Sequence, residues 1–502
     1  MLKLIDRFLN SITMYRLTLY YLIVLVAWAV VASALNLLPY DALDILLSVC
    51  IALTVGYCAN FVFAKIFGAV TNVESVYITI LILVLIVPVK LPLNFMFVAG
   101  AAGLAMASKY LLTVEKRHIF NPAAISVAYI SLLSAEHAAT WWVGTPVMLP
   151  VVLVGGLLLM RKIRREKMIV VFLVVYLGTI ICASYLNTQT LEGVVNSLSI
   201  SLTRTALFFL AFVMLTEPMT APATEPMQLL YAAIVAILNA TPQLKLGIVF
   251  TPELALSIGN IFSHFVNPGY RFILPLQSIK QLTSDTVEFT FDAVKNFHFI
   301  PGQYMEWTLP HAHSDNRGVR RYFSLASSPT EATPKLLVKF YDPPSSYKRT
   351  MLAMKPQSVI VASQLSGDFT LPKDTDTPLA LVAGGVGVAP FRSMVKYIID
   401  KKIKVDIVHL FINKTNEDII YKELFDEAEK YGVRTVYFVT SKQGHLATES
   451  IKATIPDFMN RKFYISGPQL MVQSIEQTLL QSGASTSQLK TDFFPGYFET
   501  TT

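Results

Sequence analysis

The pattern of hydrophobic and polar positions changes near residue 270. Upstream of it, apolar runs cover residues 17–38, 45–64, 76–89 and 168–186, among others. These runs approach the roughly 17 to 25 residues that a helix needs to cross a bilayer. Several are short or interrupted by Gly or Pro, as in helices that break at a buried site. Residues 1–268 are therefore predicted to form a polytopic α-helical membrane domain of about ten spans.

Downstream of residue 270, short alternating segments bounded by turn residues replace the long apolar runs. Pro301-Gly302 marks one such turn. Alternation of this kind is typical of antiparallel strands. We predict a small antiparallel β-barrel over residues 269–374, with strands at residues 272–279, 286–291 and 304–309.

The last part of the chain alternates strands with helices. An apolar strand at residues 379–382 is followed by a glycine-rich turn, a helix at 391–400 and a second strand at 405–411. This order is typical of a parallel α/β nucleotide-binding domain, which we predict for residues 375–502.

Composition agrees with a chain that occupies two environments. With 502 residues, 53% of them hydrophobic, and a mean hydropathy of +0.51, the chain is too long and too apolar for one ordinary soluble domain. The chain has a net charge of +7, and much of its positive charge lies in loops between the apolar runs. Orientation in a bilayer explains that charge better than binding of nucleic acid does.

Basic residues also mark alternate loops of the first half. They occur in residues 3–16, at Lys65, and in residues 109–118 and 161–167. Positively charged loops are retained in the cytoplasm. The alternation predicts a multi-pass protein of the inner or plasma membrane, with cytoplasmic amino and carboxyl termini.

Two motifs in the barrel region carry a family resemblance. Arg321-Tyr322-Phe323-Ser324 is similar to the Arg-x-Tyr-Ser motif of the ferredoxin-NADP reductase superfamily, and Gly302-Gln303-Tyr304 is similar to its Pro-Gly-Gln-Tyr turn. With later motifs in the same order, residues 270–498 resemble these flavoprotein reductases. The resemblance implies that FAD is bound by Gln303, Tyr304, Arg321, Tyr322, Phe323 and Ser324.

The resemblance also assigns roles to single residues. Arg321 would pair with the FAD pyrophosphate through its forked guanidinium. Phe323, which replaces the usual Tyr, would lie against the isoalloxazine. Ser324 would reach flavin N5, which receives the hydride, and is a predicted catalytic residue. In place of the family's Gly-x-x-Ser helix start, Ser346 as a cap and Lys348 as a charge would hold phosphate.

A glycine-rich loop follows the first strand of the α/β region. Gly384-Gly385-Val386-Gly387-Val388-Ala389-Pro390 resembles the family's Gly-Gly-x-Gly-x-Ala-Pro loop. Glycines let the backbone approach a dinucleotide, and a proline sets the entry of the next helix. The resemblance implies that NAD(P)H is bound by Gly384, Gly385, Gly387 and Pro390.

The carboxyl-terminal motifs complete the resemblance. Ser466-Gly467-Pro468-Gln469-Leu470-Met471 resembles the Cys-Gly-Pro-x-x-Met segment that cradles nicotinamide. Ser466, standing in place of cysteine, is the second predicted catalytic residue, because hydride transfer depends on alignment more than on a thiol. The resemblance implies further cofactor contacts at Gly467, Pro468 and Met471, and a ring of Tyr497 covering the flavin.

Residues 413–418 follow the second strand and are expected to set the choice between NADH and NADPH. Lys414 would neutralise a 2′-phosphate, whereas Glu417 or Asp418 would repel one. Since the segment contains no arginine cluster, it favours NADH.

The membrane half resembles a second family. Residues 116–124, with Phe120-Asn121-Pro122-Ala123, and residues 215–222 are similar to segments of the flavin-carrying membrane subunit shared by Na+-translocating NADH:quinone reductases and Rnf complexes. The resemblance implies FMN, attached at Thr145 if it is covalent. Alternatively, a noncovalent FMN, riboflavin or a quinone would carry the electrons in the membrane half. Further membrane subunits are candidate partners, and no metal is expected.

These observations predict a membrane flavoprotein that passes electrons from NAD(P)H through FAD to a membrane flavin or quinone, with ion movement left open. One alternative is a transmembrane ferric reductase or NADPH oxidase. Its two haems need two pairs of histidines, and the membrane half has only His118, His137 and His264. Another alternative is a transporter or receptor whose flavin domain senses the redox state.

Overall fold

The computed structural model describes residues 5, 8–9, 12–68, 73–87, 94–114, 117–133, 139–244, 249–266, 271–293, 297–312, 314–315, 318–372, 374, 376–444, 446 and 448–494. The chain divides into two compact units, Met1–Tyr270 and Arg271–Thr502. The predicted change of structure near residue 270 is thus present. The finer three-domain boundaries stay predictions.

The first unit is built from helices that share one apolar core. In its first helix, Leu22, Leu25, Ala29 and Ala32 recur every three or four residues and are fully buried. The helices are α1 (Met14–Ala34), α2 (Ala42–Ile66), α3 (Val73–Ile86), α4 (Phe95–Leu111), α5 (Pro122–Leu133), α6 (Leu149–Ile163), α7 (Glu166–Thr188), α8 (Leu191–Thr203), α9 (Leu207–Phe209, continued by a π turn at Leu210–Met214), α10 (Glu225–Asn239), α11 (Thr241–Leu244) and α12 (Pro252–Val266). Strands β1 (Thr113–Val114) and β2 (Arg117–His118) form a small antiparallel pair.

The number of long apolar helices differs from the predicted ten spans. Among the described residues, three helices are long and apolar enough to cross a membrane, namely α1, α2 and α7. A fourth is added if α8 and α9, bent by 55° at a break, count as one span. Other apolar stretches form shorter helices of 10 to 17 residues, among them α3, α4, α5 and α10. The 14 residues of α3 rise only about 21 Å, against a hydrocarbon core of about 30 Å.

The second unit begins with an antiparallel sheet of six strands, in the order β6-β5-β8-β3-β4-β7. Trp307, Phe289 and Phe291 are fully buried on its inner side. The strands are β3 (Phe272–Gln281), β4 (Thr286–Phe291), β5 (Tyr304–Thr308), β6 (Arg320–Ser324), β7 (Lys335–Lys339) and β8 (Val359–Ser366), with helix α13 (Ser346–Leu352) after β7. The predicted antiparallel barrel is confirmed.

A parallel sheet of five strands follows, in the order β11-β10-β9-β12-β13. Its strands are β9 (Leu379–Gly384), β10 (Ile407–Asn413), β11 (Val433–Val439), β12 (Lys462–Pro468) and β13 (Leu489–Phe494). The helices are α14 (Ala389–Lys401), α15 (Lys422–Glu427), α16 (Thr440–Gln443), α17 (Thr448–Thr454) and α18 (Gln469–Gln481). The predicted parallel α/β fold is confirmed. Strand β10 begins and ends two residues later than predicted.

Candidate functional site

Strands β5 and β6 place the predicted FAD-binding residues on one antiparallel ladder. Tyr304 lies opposite Ser324, and Met305 lies opposite Phe323. Because side chains alternate along a strand, Arg321 and Phe323 share one face of β6. Both contact Tyr347, with the Arg321 guanidinium 4.9 Å from the ring centre and the Phe323 ring centre 6.2 Å away.

Arg321 is a buried cation held in a fixed direction. Its side chain donates to the carbonyl oxygens of Gly318 at 3.1 Å and Arg320 at 2.6 Å. Another guanidinium nitrogen lies 3.5 Å from a carboxylate oxygen of Asp315. A guanidinium fixed in this way suits a pyrophosphate, to which it can donate along two directions.

Tyr322 lies on the other face of β6. Its hydroxyl lies within hydrogen-bond distance of side-chain oxygens of Glu306 at 2.9 Å and Gln364 at 3.1 Å, and its ring meets the ring of Tyr304 edge-on. These contacts fix the ring of Tyr322. The structure thus brings Tyr304 and Tyr322 together, as the ladder predicts.

Ser324, the predicted catalytic residue of the barrel, has a partner in the parallel sheet. Its hydroxyl donates to a carboxylate oxygen of Asp492 on strand β13, at 3.4 Å. The sequence analysis missed Asp492. A signal was available, because the acid directly precedes the aromatic segment that holds Tyr497. Tyr497 itself lies outside the described residues.

The turn before β5 is fixed by its own residues. The side-chain oxygen of Gln303 accepts from the backbone N–H of Ile300 at 2.8 Å. Gly302 has a φ of +98°, and a Cβ there would lie 2.1 Å from the carbonyl oxygen of Phe369. Gln303 is therefore a turn-forming residue as well as a predicted cofactor contact.

The predicted cap of the short helix α13 is wrong by one residue. Ser345 is the N-cap, and its side chain accepts from the backbone N–H of Lys348. Ser346 instead accepts from the N–H of Asp315 at 2.9 Å and lies 3.0 Å from His311 Nε2. The Lys348 ammonium donates to the carbonyl of Lys339. Ser346 therefore fastens the loop that also carries the acid beside Arg321.

The glycine turn is shaped by close contact with strand β12. A Cβ at Gly387 would lie 2.3 Å from the carbonyl oxygen of Ser466, and one at Gly384 would lie 2.3 Å from the sulfur of Met471. Gly385 adopts a φ of +52°, with open space around it. Pro390 occupies the first turn of α14 and is buried. The two predicted NAD(P)H motifs thus form one packed site.

Ser466 lies at the centre of this packed site. It pairs with Ala383 on one side and with Asp492 on the other. Its side chain is fully buried, and its hydroxyl has no hydrogen-bond partner among the residues that the structure describes. Gly467, with a φ of +153°, brings the backbone close to Gly384. An unsatisfied buried hydroxyl here fits a site that a ligand completes.

The loop after β10 alters one expectation about cofactor choice. Asp418 accepts from the backbone N–H and the hydroxyl of Thr415, at 2.9 and 3.1 Å, in a capping box. Its carboxylate is therefore held within its own turn. Lys414 and Glu417 are exposed.

In the first unit, the two segments behind the second resemblance lie together. The Asn121 side chain donates to Glu217 at 2.7 Å, and its backbone N–H donates to the Asn260 side chain at 2.9 Å. The Thr216 hydroxyl donates to the carbonyl of Phe212. The hydroxyl of Thr145 is buried, without a hydrogen-bond partner in the described part of the chain. FMN attachment at Thr145 stays a prediction.

A buried carboxylate in this unit was missed by the sequence analysis. Glu253 in the first turn of α12 is 1% exposed and accepts from Trp141 Nε1 at 2.8 Å. Glu74, by contrast, forms an ion pair with Arg16 at 2.9 Å. The only sequence signal for Glu253 is an acid that opens a helix, which is common at helix starts.

Comparison with known proteins identifies the nucleotide-binding region. Residues 381–477 match the oxidoreductase NAD-binding domain family. The chain is 28% identical over 222 residues to a flavohemoprotein of Bacillus cereus, covering 40% of this chain and 55% of that protein. It is 27% identical over 196 residues to an NADPH oxidoreductase of Mycobacterium tuberculosis, covering 38% and 51%. The chain thus spans about half the length of the curated relatives it matches.

A solved structure of similar shape is a ferredoxin NADP+ reductase from Neisseria gonorrhoeae with bound FAD and NADP, at 17% identity and a TM-score of 0.40, covering 45% of this chain and 99% of that one. The predicted reductase-type FAD and NAD(P)H module is confirmed for the carboxyl-terminal half by the family match and the curated relatives. The activity of the whole protein is a proposal.

Proposed function

We propose that the protein is a membrane-bound NAD(P)H-dependent flavin oxidoreductase. The observation that carries this proposal is the meeting of two predicted motifs. Ser324 on the barrel strand is hydrogen-bonded to Asp492, which pairs in register with Ser466 beside the glycine turn. When bound, FAD supplies the chemistry that accepts a hydride from NAD(P)H and passes electrons onward one at a time.

The residues of the second unit supply binding and alignment. Arg321 would hold the FAD pyrophosphate, and Phe323, beside Tyr347, would offer the flavin a flat apolar surface. Asp492 orients the hydroxyl of Ser324. The buried hydroxyl of Ser466 is left to bind the nicotinamide. The tight contact of Gly384 with Met471 excludes side chains from the space that the dinucleotide needs. Alignment of this kind accounts for much of the rate in hydride transfer.

The first unit would hold the protein in the membrane and receive the electrons. Helices α1, α2 and α7 expose large apolar side chains away from the core, such as Val24 at 54%, Phe61 at 62% and Val174 at 65%. Helices that are apolar on every side favour a bilayer. A membrane FMN, riboflavin or quinone would be the acceptor, and Thr145 remains the candidate residue for covalent FMN.

Coupled ion movement would need a buried ionisable group, and Glu253 is a candidate. Ionisable residues inside a membrane domain are costly and are usually functional. The Glu253→Gln change keeps an oxygen for the Trp141 N–H. We therefore expect it to preserve folding and electron transfer while abolishing any ion uptake by proteoliposomes.

The test is cofactor analysis of the detergent-purified full chain. We expect one FAD per chain, bleaching of the flavin absorbance by NADH without oxygen, and steady NADH oxidation when a short-chain quinone is added. Protein without FAD would refute the proposal. Flavin reduction without turnover toward any acceptor would favour the sensor, and a haem Soret band would favour the ferric reductase. Extraction of FMN or riboflavin would identify the membrane centre.

A further inference from the structure

Helix α14 is hydrogen-bonded to the segment of chain that leaves strand β6. A guanidinium nitrogen of Arg392 donates to the carbonyl oxygen of Ala326 at 3.0 Å. The Ser393 hydroxyl donates to the carbonyl oxygen of Ser327 at 2.6 Å. The two acceptors follow Ser324 along the chain, and the two donors lie in the helix that the glycine turn opens. This pair of contacts therefore joins the flavin-type strand to the nucleotide-type loop.

The acceptor segment is fixed to the barrel together with Ser324. The backbone N–H of Leu325 donates to the carbonyl of Gln303 at 3.0 Å, and that of Ala326 donates to the carbonyl of Lys335 at 3.0 Å. These bonds hold the segment on the barrel at the point where β6 ends. A displacement of its carbonyl oxygens therefore displaces the hydroxyl of Ser324 as well.

The donor helix starts from the other predicted motif. Gly387 lies so close to strand β12 that a Cβ there would be 2.3 Å from the carbonyl oxygen of Ser466. Pro390 occupies the first turn of α14, and Ser393 follows in the same helix. Consecutive backbone hydrogen bonds make a helix stiff over such a short distance. The position of Ser393 is therefore tied to the position of the glycine turn.

The two donors differ in what else holds them. Arg392 also forms the ion pair with Glu331 and lies 5.4 Å from the ring centre of Tyr421, so its removal would disturb a buried charge pair. Ser393 is neutral, and the single O–H that a serine can donate is used in the contact with Ser327. Ser393 is also 0% exposed, which leaves it no surface for a cofactor. It can act on the reaction only through the two motifs that it joins.

We infer that Ser393 is a positioning residue for hydride transfer, which sets the spacing of nicotinamide and flavin by joining α14 to the segment after Ser324. The inference rests on the proposed function and adds to it a residue that touches neither cofactor. Reacting atoms must approach to about 3 to 3.5 Å, and a misplacement of about 1 Å can cost about 100-fold in rate. The hydrogen bond of Ser393 lies where it can hold that spacing.

The test compares Ser393→Ala with the wild type, each as the full-length protein with its FAD. In anaerobic stopped-flow measurements, we expect the limiting rate of FAD reduction by NADH to fall about tenfold, because the two motifs lose part of their alignment. The NADH concentration that gives half of this rate should stay within about twofold of the wild-type value. The FAD content should not change, because the guanidinium of Arg321 is left in place.

The matched control is Thr330→Val, at the other end of the same helix. The Thr330 hydroxyl donates to a carboxylate oxygen of Asp400 at 2.5 Å, so this change also removes a hydroxyl contact between the chain after β6 and α14. Asp400 lies about 10 Å further along α14 than Ser393 does. We therefore expect Thr330→Val to reduce FAD at the wild-type rate.

A second variant covers the case in which the alanine variant is unstable. Ser393→Cys keeps a side chain of similar size with a weaker donor. Its limiting rate should lie between those of the wild type and Ser393→Ala. If Ser393→Ala loses its FAD, Ser393→Cys is compared with Thr330→Val by the same criteria.

A spectroscopic measurement separates positioning from a structural role. A nicotinamide ring stacked on a flavin gives a long-wavelength charge-transfer absorbance that weakens as the rings separate. This absorbance should fall in Ser393→Ala and persist in Thr330→Val. A limiting rate for Ser393→Ala within about twofold of the wild type, an equal loss in Thr330→Val, or a slower rate with unchanged charge-transfer absorbance would overturn the inference. Wild-type protein that holds FAD but is reduced by neither NADH nor NADPH would instead overturn the proposed function, before any variant is compared.

Discussion

The hydroxyl of Ser324 lies 3.4 Å from a carboxylate oxygen of Asp492, which joins the flavin-type strand of the barrel to the last strand of the parallel sheet. Asp492 in turn pairs in register with Ser466. Residues 324, 466 and 492 are far apart in sequence, yet they form one line of polar side chains between the two predicted cofactor motifs. Under the proposed function, hydride transfer would take place beside this contact.

The first prediction concerns this contact. Under the proposed function, Ser324→Ala should slow FAD reduction by NADH by about 10- to 100-fold, because it removes the hydroxyl that would lie at the reacting centre. The binding of FAD should stay unchanged. Asp492→Asn, which still accepts from Ser324, should slow the reaction less. Anaerobic stopped-flow absorbance measures both rates, and equal rates for Ser324→Ala and the wild type would contradict the assigned role.

The second prediction concerns the guanidinium of Arg321. Arg321→Ala should yield protein largely free of FAD, because the pyrophosphate loses its forked donor. Arg321→Lys keeps the charge but loses the fork, so it should retain FAD only partly. The ratio of flavin to protein absorbance after purification provides the measurement. Full FAD occupancy in the alanine variant would show that the pyrophosphate is held elsewhere.

The third prediction compares two glycines of one turn. Gly387→Ala would place a Cβ 2.3 Å from the carbonyl oxygen of Ser466, so the turn and strand β12 must separate. We expect a lower unfolding midpoint and a KM for NADH raised at least tenfold. Gly385→Ala meets open space and has only its left-handed φ of +52° to accommodate, at a cost of about 1 kcal/mol. A smaller loss of stability and of NADH affinity in Gly387→Ala than in Gly385→Ala would contradict the packed turn.

The fourth prediction concerns an ion pair between the barrel region and α14. Arg392 is 5% exposed, forms a short ion pair with Glu331 and donates to the carbonyl of Ala326. Burial acts to raise the pKa of Glu331, but the hydrogen bond and charge of Arg392 outweigh it and hold the pKa below its ordinary value. A carboxyl group whose pKa is lower in the folded than in the unfolded protein stabilises the fold at pH values above its unfolded pKa. This stabilisation is lost as the pH falls through the folded pKa.

The unfolding midpoint of the wild type should therefore drop as the pH falls below about 4.5, and Glu331→Gln should flatten part of that drop. Arg392→Leu leaves the half-buried Glu331 with only Lys335 at 3.3 Å and the Ser328 N–H as partners, and should cost about 2 kcal/mol at neutral pH. Thermal unfolding followed at several pH values tests both. If the unfolding midpoint of Glu331→Gln depends on pH as that of the wild type does, the pair of Arg392 and Glu331 is not the source of the drop.

Much of the second unit could be predicted from sequence because its signals are local. The glycine turn and the alternating strands each specify their own backbone, so the barrel and the parallel sheet follow. The contact between Ser324 and Asp492 could not be found this way, because it depends on which side chains meet between the barrel and the parallel sheet, and no spacing in the sequence records that. The cap at Ser345 was missed because two adjacent serines compete for it.

The first unit was harder to predict for a physical reason. Hydropathy measures how apolar a segment is, but not whether it forms one helix or several. The bend between α8 and α9 and the 14 residues of α3 both lie inside apolar runs. The buried Glu253 was equally hidden, because an acid at a helix start is ordinarily a solvated cap.

The close packing of Gly384 and Gly387 against residues 466–471 also constrains how this module can be engineered. Gly384 and Gly387 have no room to change alone, since a Cβ at Gly384 strikes Met471 and a Cβ at Gly387 strikes the backbone of Ser466. A protein engineer who transplants the nucleotide-binding loop into another scaffold will have to move both pieces as a single cassette. Libraries that randomise Gly384 and Gly387 without changing residues 466–471 should consist mostly of misfolded variants.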